Sequence, residues 1–480
     1  MDYEAVIGLE THVQLKTKSK MWCGCANEFG APPNTHVCPV CLGLPGVLPV
    51  ANEEALRLTA LTGLLLNCSL PPYAKFDRKN YFYPDMPKNY QVTQYDKPSA
   101  VTGYLEFEFN DSLARVRITR AHLEEDVGKN FHFDRNSGVD FNRAGVPLME
   151  IVSEPDLTSA VMAYEYLNAL KDILVYGGVS DCDMEKGMVR CDVNVSVRPK
   201  GQSELGAKIE IKNMNSFSGV RKALDYEIPR QIEVLKSGGK LIQSTRRWDD
   251  PAGITEEMRT KEFAHDYRYF PEPDLMPFQP TEAWLEEVSR RVIELPLARK
   301  RRFIRDYQLP AADAQTFVWD RPLGDYFESI AKQAKSPKAA ANWVINNLRA
   351  KMTESGTTLA DVKFQPPAIL ELIELVENGK ISSRIAQDVF TEMFSAGESP
   401  AKIVEKKGLA QVSDTAAIEK FCDEAIAANP GPAADFRAGK TAALNFLKGQ
   451  VMKLSKGKAN PALAGEILER KLKAGMETGN

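Results

Sequence analysis

The first residues that could bind a cation lie in an alternating segment near the start of the chain. In VIGLETHVQL, residues 6–15, apolar residues occupy one side of a period-two ribbon, and Glu10 and His12 lie on the other side. Successive side chains on one face of a strand are about 7 Å apart, so a carboxylate and an imidazole could converge on one ion or phosphate. The same pattern is also compatible with a solvated polar face.

Four of the eight cysteines form a compact C-x-C-x12-C-P-x-C-x-G pattern at Cys23, Cys25, Cys38 and Cys41. Two close pairs joined by a short loop can bring four thiolates to one tetrahedral zinc ion, and four sulfur ligands leave no open position. We therefore predict a structural zinc site that orders residues 23–41. Nothing in the sequence indicates the oxidising compartment or the βαβ context that disulfide or thioredoxin-like chemistry would need, while an iron–sulfur cluster remains an alternative.

Further acidic residues stand in segments whose patterns are typical of strands, and they are Glu124, Glu125, Glu150, Asp192 and Glu210. Two carboxylates about 4 Å apart repel by about 4 kcal/mol at an effective dielectric constant near 20, so gathering them requires a cation or a proton. If they share a face with Glu10 and His12, hard oxygen ligands with one imidazole favour magnesium or manganese over zinc. Each residue taken singly is compatible with exposure to solvent, so their convergence is a hypothesis.

Basic residues alternate with aromatic ones in FDRKNYFYPDMPKNYQ, residues 76–91, where Lys79 and Lys88 could hold phosphates. Packing of the aromatic residues beneath a long loop is the alternative. The sequence contains no Rossmann glycine fingerprint, and the nearest match to a P-loop, RAGKT, has Ala434 where the first glycine is required. Any nucleotide chemistry would therefore use a metal held on a sheet.

The elements that would position these residues indicate an α+β multidomain protein. The 480 residues exceed one ordinary core, and residues 1–280 combine strand-like alternation with helical segments that would back a sheet on its apolar side. Four prolines within residues 269–280 mark a boundary, after which the patterns are helical. We predict a β-rich domain at 1–280, a helical domain at 281–405 and a small helical tail domain at 406–480.

The distribution of charge and the hydropathy of the sequence bear on its partners and on its location in the cell. The net charge is −4, but residues 437–480 carry nine Lys or Arg against three Glu, a local +6 that suits either a phosphate-contacting arm or a solvated helix. No run of 18 apolar residues could span a membrane, and the acidic N-terminal segment does not resemble a signal or transit peptide. We therefore expect a cytoplasmic protein without a membrane partner.

Six motifs resemble a known family. They occur in the family's order along the whole chain: GLETHVQL, DRKNYFYPDMPKNYQ, AHLEEDVGK, AGVPLMEIV, CDVNVSV and KGKANP. Together they closely resemble the B subunit of the aspartyl/glutamyl-tRNA amidotransferases. The related E subunit of archaea has an additional inserted domain, so a chain of 480 residues without that insertion resembles the B subunit more.

The resemblance implies a catalytic domain similar to glutamine synthetase and a reaction in two steps. ATP phosphorylates the side-chain carboxylate of Glu-tRNA(Gln) or Asp-tRNA(Asn), and ammonia then displaces the phosphate. It also implies that His12, Glu125 and Glu150 bind Mg²⁺, with Glu10, Glu124, Asp192 and Glu210 as further metal or water ligands. The predicted catalytic residues are Glu10, His12, Glu125, Glu150 and Asp192, and the predicted cofactor-binding residues are Lys79, Lys88, Arg190, Glu124 and Glu210.

The same resemblance implies partners. We find no amidase-type Ser-Ser-Gly-Gly segment and no G-x-S-x-G elbow, so glutamine would be hydrolysed by another protein. In the family, that protein is the amidase, or A subunit. The small C subunit makes the assembly a heterotrimer, in which the helical and tail domains of the B subunit grip the tRNA. The whole would be a glutamine-hydrolysing, ATP-dependent carbon–nitrogen ligase. The alternative is a non-catalytic tRNA-binding module that zinc stabilises.

Overall fold

The computed structural model describes residues 2–260, 267–410, 415–455 and 457–477. The chain forms two compact units, Met1–Leu297 and Ala298–Asn480. The predicted boundaries at residues 280 and 405 divide the chain differently, and the division into three domains stays a prediction. Among the described residues, no helix combines the length and the apolar character that crossing a bilayer requires.

The first unit is built on a mixed sheet. Its strands, together with a separate hairpin of β6 and β7, are β1 Tyr3–Gln14, β2 Asp77–Asn80, β3 Tyr90–Thr93, β4 Ala100–Phe109, β5 Ser112–Glu125, β6 Lys129–His132, β7 Ser137–Asp140, β8 Pro147–Ser153, β9 Val189–Pro199, β10 Ile209–Lys212, β11 Ser244–Asp249, β12 Ile254–Thr260 and β13 Phe270–Pro271. The described strands follow the order β12-β11-β10-β9-β1-β8-β5-β3-β2-β13, with β4 paired to β5. Strand β1 therefore lies near the middle of the sheet, between β8 and β9.

Helices cover the apolar side of this sheet. They are α1 Glu53–Leu65, α2 Ala160–Tyr176, α3 Phe217–Lys236 and α4 Glu282–Ser289. The side chains of Asn52, Ser159 and Ser216 cap the first three by accepting hydrogen bonds from backbone N–H groups of the first turn. Ile7 and Leu9 of β1 are buried in the core that these helices share with the strands. The predicted alternation of β1 and the placement of helices on the apolar side are confirmed.

The second unit is helical in all its described elements. They are α5 Pro296–Tyr307, which begins at the end of the first unit, α6 Ala311–Trp319, α7 Arg321–Ala331, α8 Pro337–Asn342, a π-helical turn Trp343–Arg349, α9 Ala350–Ser355, a 3₁₀ turn Leu359–Asp361, α10 Pro366–Glu377, α11 Ser383–Ala396, α12 Pro400–Lys407, α13 Thr415–Ala428, α14 Pro430–Arg437, α15 Ala442–Leu454 and α16 Pro461–Glu477. Two apolar clusters stabilise it, one around Phe317 and Phe327 and one around Leu447 and Leu468. The predicted α+β multidomain class is confirmed.

Candidate active site

Five neighbouring strands, β10, β9, β1, β8 and β5, present polar side chains on the side of the sheet opposite the helices, which we call the polar face. His12 of β1 pairs in register with Glu150 of β8 and Arg190 of β9. Glu10, two residues earlier on the same face, pairs with Asp192 of β9. Strand register therefore brings together residues that are up to 182 positions apart in the sequence (192 − 10).

Two carboxylates and an imidazole form the first cluster on the polar face, which we call the first trio: His12, Glu124 and Glu150. One possible ligand atom from each lies within 4.8 Å of the others. The His12 Nε2 atom is 3.5 Å from Oε1 of Glu124 and 3.7 Å from Oε2 of Glu150. His122 of β5 extends the cluster, because its Nε2 atom is 3.2 Å from the same Glu150 oxygen. This donor set can hold a divalent cation such as Mg²⁺ or Mn²⁺.

The electrostatics of the first trio differ between its two carboxylates. Burial, reinforced by the neighbouring Glu150 carboxylate, raises the pKa of Glu124 to about 8. Burial also opposes ionisation of Glu150, but the hydrogen bond and the charge of His122 outweigh it and lower the pKa of Glu150. Burial lowers the pKa of His12, which favours the neutral imidazole that a metal requires. Without a cation, the cluster thus holds one ionised and one protonated carboxyl group at neutral pH.

Three carboxylates form a second cluster on the polar face, which we call the second trio: Glu10, Asp192 and Glu210. Their closest oxygens also lie within 4.8 Å of one another. Asn194 donates a hydrogen bond of 2.8 Å to Oε1 of Glu10. The Lys212 ammonium lies 2.6 Å from Oδ2 of Asp192 and 3.2 Å from Oε1 of Glu210. Burial, the Glu150 carboxylate and Asp192 raise the pKa of Glu10, although the hydrogen bond from Asn194 lowers it.

Glu125 lies beside the trios without joining either. It forms an ion pair with the ammonium of Lys88, and the Val92 backbone N–H donates a 2.9 Å hydrogen bond to its Oε1. The residue of β5 that approaches His12 and Glu150 is therefore Glu124, one position earlier. The assignment of Glu125 to the magnesium ligands stays a prediction, and in this arrangement the Glu125 carboxylate is engaged by Lys88 instead.

Asp126 holds the guanidinium of Arg190, which the sequence analysis predicted to bind a cofactor. Its side chain is fully buried, and Arg190 Nη2 donates a 2.7 Å hydrogen bond to its Oδ1. Gln14 Nε2 donates to Oδ2 at 2.9 Å, and Arg143 Nε lies 3.6 Å from the same oxygen. Burial alone would raise the pKa of Asp126, but the two arginines outweigh it and lower that pKa. The Arg190 guanidinium is thereby held next to the first trio.

Lys79 approaches the site from strand β2. Its ammonium lies 4.9 Å from the centre of the Tyr267 ring, and its charge lowers the pKa of Glu124 against the effect of burial. The polar face therefore combines two acidic clusters with the cations of Lys79 and Arg190. Such a combination suits an anionic ligand that binds together with a metal.

Four residues that contact the site have no role predicted from the sequence: His122, Asp126, Asn194 and Lys212. The signal for His122 was present, because it precedes Glu124 by two residues and so shares its face in a strand. Asn194 and Lys212 are related to Asp192 and Glu210 in the same way. Asp126 follows the end of β5, where periodicity gives no direction.

The four predicted cysteines also meet. The sulfur atoms of Cys23, Cys25, Cys38 and Cys41 lie within 4.8 Å of one another, so this cluster could bind a metal. Lys20 lies beside it, with Nζ 3.7 Å from the Cys41 sulfur and 3.1 Å from the Phe141 carbonyl oxygen. Within the same loop, Asn34 and Asn142 join residues 31–36 to residues 139–142 by hydrogen bonds. The cysteine loop is thus tied to the segment that carries Arg143.

Comparison with known proteins identifies the family of the chain. Residues 5–286 match the model of the GatB/GatE catalytic domain, and residues 325–472 match that of the GatB domain. The chain is 52% identical over 476 residues to the B subunit of the aspartyl/glutamyl-tRNA(Asn/Gln) amidotransferase from Carboxydothermus hydrogenoformans, covering 98% of this chain and 99% of the relative. The proteins of the same description from Thermoanaerobacter sp. and Persephonella marina are 51% and 50% identical, with 98% of this chain and 100% of each relative covered. The chain therefore belongs to the family of aspartyl/glutamyl-tRNA(Asn/Gln) amidotransferase B subunits, whose designation implies assembly with other subunits.

Proposed function

We propose that this chain carries the ATP-dependent activation step of a tRNA-dependent amidotransferase. A side-chain carboxylate oxygen of Glu-tRNA(Gln) or Asp-tRNA(Asn) would attack the terminal phosphorus of ATP, and ADP would leave. Ammonia would then attack the activated carbonyl carbon, forming the amide, and inorganic phosphate would leave with the former carboxylate oxygen. The observation that supports this proposal most is the gathering of two acidic trios on one sheet face beside cationic side chains.

The first trio fits Mg²⁺ by its chemistry. Two carboxylates this close repel each other unless a proton or a cation lies between them, and the raised pKa of Glu124 expresses that repulsion together with burial. His12, Glu124 and Glu150 would hold the metal, with Glu125 next to them. When bound, Mg²⁺ would offset the charge that develops on the phosphates during transfer. The second trio, Glu10, Asp192 and Glu210, would supply further metal or water ligands.

The surrounding side chains would position the reactants. Arg190, which Asp126 holds in place, and Lys79 would contact phosphate oxygens. His122 would fix the orientation of the Glu150 carboxylate through their contact of 3.2 Å. Lys88, paired with Glu125, would line the approach of ammonia.

We extend the proposal to the rest of the assembly, and family membership supports this extension. Ammonia would come from a glutamine-hydrolysing amidase, the A subunit, and the small C subunit would make the assembly a heterotrimer. Helical residues 281–405 and the basic tail domain, residues 406–480, would bind the tRNA. The four cysteines would hold a structural Zn²⁺ ion, since four sulfur donors leave no open coordination position.

An isotope-transfer experiment with the assembled complex tests the proposal. We expect one ¹⁸O atom to move from a labelled side-chain carboxylate of the aminoacyl-tRNA to each phosphate released. The Glu150→Gln variant should lose this transfer and ATP turnover by about 100-fold or more, because it removes a metal ligand and the partner of two histidines. The matched control is Glu154→Gln, since Glu154 directly follows the same strand and contacts Thr119.

The alternative, a non-catalytic tRNA-binding module, makes the opposite prediction. Wild-type rates of ATP turnover in Glu150→Gln, with tRNA affinity unchanged, would support that alternative. Phosphate without ¹⁸O would exclude phosphorylation of the carboxylate.

A further inference from the structure

A lysine of the chain itself, Lys212, contacts the carboxylates of the second trio. Lys212 of β10 lies two residues after Glu210 and on the same face, and its ammonium contacts Asp192 at 2.6 Å and Glu210 at 3.2 Å. The Lys212 side chain is 39% exposed, so one side of it borders solvent. Among the described residues, the ion-pair contacts of Glu124 and Glu150 in the first trio involve only histidines.

A divalent cation and an ammonium group compete for the same place between these carboxylates. A cation bound by the second trio would be held by the carboxylates of Asp192 and Glu210, the two groups that Lys212 now contacts. Two positive charges about 4 Å apart repel strongly even near a protein surface. Lysine ends in a compact charge on a flexible four-carbon stem, so it can move aside without a change in the backbone.

We propose that Lys212 is a displaceable counter-ion of the second trio. In the absence of a divalent cation, Lys212 neutralises Asp192 and Glu210 and keeps the acidic cluster together. When the cation binds, the ammonium leaves these carboxylates for the solvent that borders one side of the Lys212 side chain. This inference rests on the proposed function, because it takes the polar face to be a site for metal and nucleotide.

The proposal predicts that one substitution changes the cation affinity of the second trio and leaves that of the first unchanged. Lys212→Met removes the competitor, so the second trio should bind a divalent cation roughly tenfold more tightly or better. The first trio should keep its affinity.

The test is a titration of the full chain with Mn²⁺ while zinc is retained in the cysteine site. The electron paramagnetic resonance signal of free Mn²⁺ reports how much of the ion is bound, and so gives the affinities of the first and the second trio. Lys212→Gln serves as a second neutral variant, and a thermal melt confirms that each variant is folded. Lys212→Arg keeps the charge and should resemble the wild type. Lys208→Met is the matched control, because Lys208 is only partly buried and acts on Glu10 through its charge.

The results separate this inference from the proposed function. Tighter binding of the second Mn²⁺ ion in both neutral variants, with Lys208→Met close to the wild type, supports the displacement of Lys212. One Mn²⁺ site in the wild type and unchanged or weaker binding in the neutral variants would overturn the role of Lys212 and leave the first trio intact. No Mn²⁺ bound to the polar face in any variant would overturn the proposed function itself.

Discussion

The substitutions Glu124→Gln and Glu125→Gln should change the free energy of unfolding in opposite directions. Glu124 faces His12 and Glu150, whereas Glu125 is paired with Lys88 and accepts a hydrogen bond from Val92. In a chain free of divalent cations, Glu124→Gln removes a source of repulsion. Glu125→Gln instead leaves the ammonium of Lys88 without its counter-charge.

The magnitudes follow from burial and distance. Carboxylates about 4 Å apart repel by about 1 kcal/mol in water and about 4 kcal/mol at an effective dielectric constant of 20. Above about pH 8, where Glu124 is ionised, Glu124→Gln should therefore raise the free energy of unfolding by about 1–4 kcal/mol. Breaking a buried ion pair by removing one charge costs about 3–5 kcal/mol, and Glu125 is 3% exposed. The second substitution should therefore lower the free energy of unfolding.

The gain from Glu124→Gln should depend on pH. Because the folded state raises the pKa of Glu124 from 4.5 to about 8, its contribution to stability is complete below about pH 4.5 and is lost as the pH rises through about 8. Glutamine does not ionise, so it avoids this loss. The advantage of the variant should grow between about pH 4.5 and about pH 8 and stay constant above that.

Thermal melts in Mg²⁺-free buffer, with zinc retained, measure the effect. A change of about 1 kcal/mol corresponds to roughly 2 °C for a unit of this size. Added Mg²⁺ should raise the melting temperature of the wild type more than that of Glu124→Gln, because the variant has lost a ligand. A fall in melting temperature for Glu124→Gln at about pH 8.5, equal to that for Glu125→Gln, would refute the placement of Glu124 in the first trio.

Three further predictions concern other parts of the chain. Cys38→Ser should lose about one Zn²⁺ ion per chain by elemental analysis and melt at a lower temperature, whereas retained zinc would contradict the four-cysteine ligand set. Asp126→Asn leaves Arg190 and Arg143 without their buried anion, so urea denaturation at neutral pH should show a loss of about 3–5 kcal/mol. This loss should shrink as the pH falls through the lowered pKa of Asp126, and equal losses at neutral and acidic pH would contradict it. Deletion from residue 410 onward should weaken tRNA binding and reduce its dependence on salt, and an unchanged salt slope would exclude the basic tail from the contact.

The sequence predicted the parts of the site that depend on strand periodicity. The alternation of β1 separated Glu10 and His12 from the apolar side, and the structure has that separation. The cysteine pattern predicted a four-sulfur cluster because its spacing is local. Strand order brought β5 and β9 to either side of β8 and β1, and no local pattern encodes that order.

The choice between Glu124 and Glu125 shows where periodicity ends. The five residues from Ala121 to Glu125 are all buried, so apolar and polar positions no longer alternate at the end of β5. Which glutamate approaches His12 depends on the register with β8, where His122 lies opposite Glu150. The pairing of Asp126 with Arg190 joins residues 64 positions apart, and it too is set by tertiary structure.

The most direct test of the metal-binding polar face is anomalous diffraction from crystals of the complex with Mn²⁺ and a non-hydrolysable ATP analogue. We expect a manganese peak within ligand distance of His12, Glu124 and Glu150, with the analogue's terminal phosphate beside it and Lys88 still paired with Glu125. A peak coordinated by Glu125 in place of Glu124 would contradict the ligand set. A nucleotide bound away from this face, with no manganese at either trio, would contradict the proposed function.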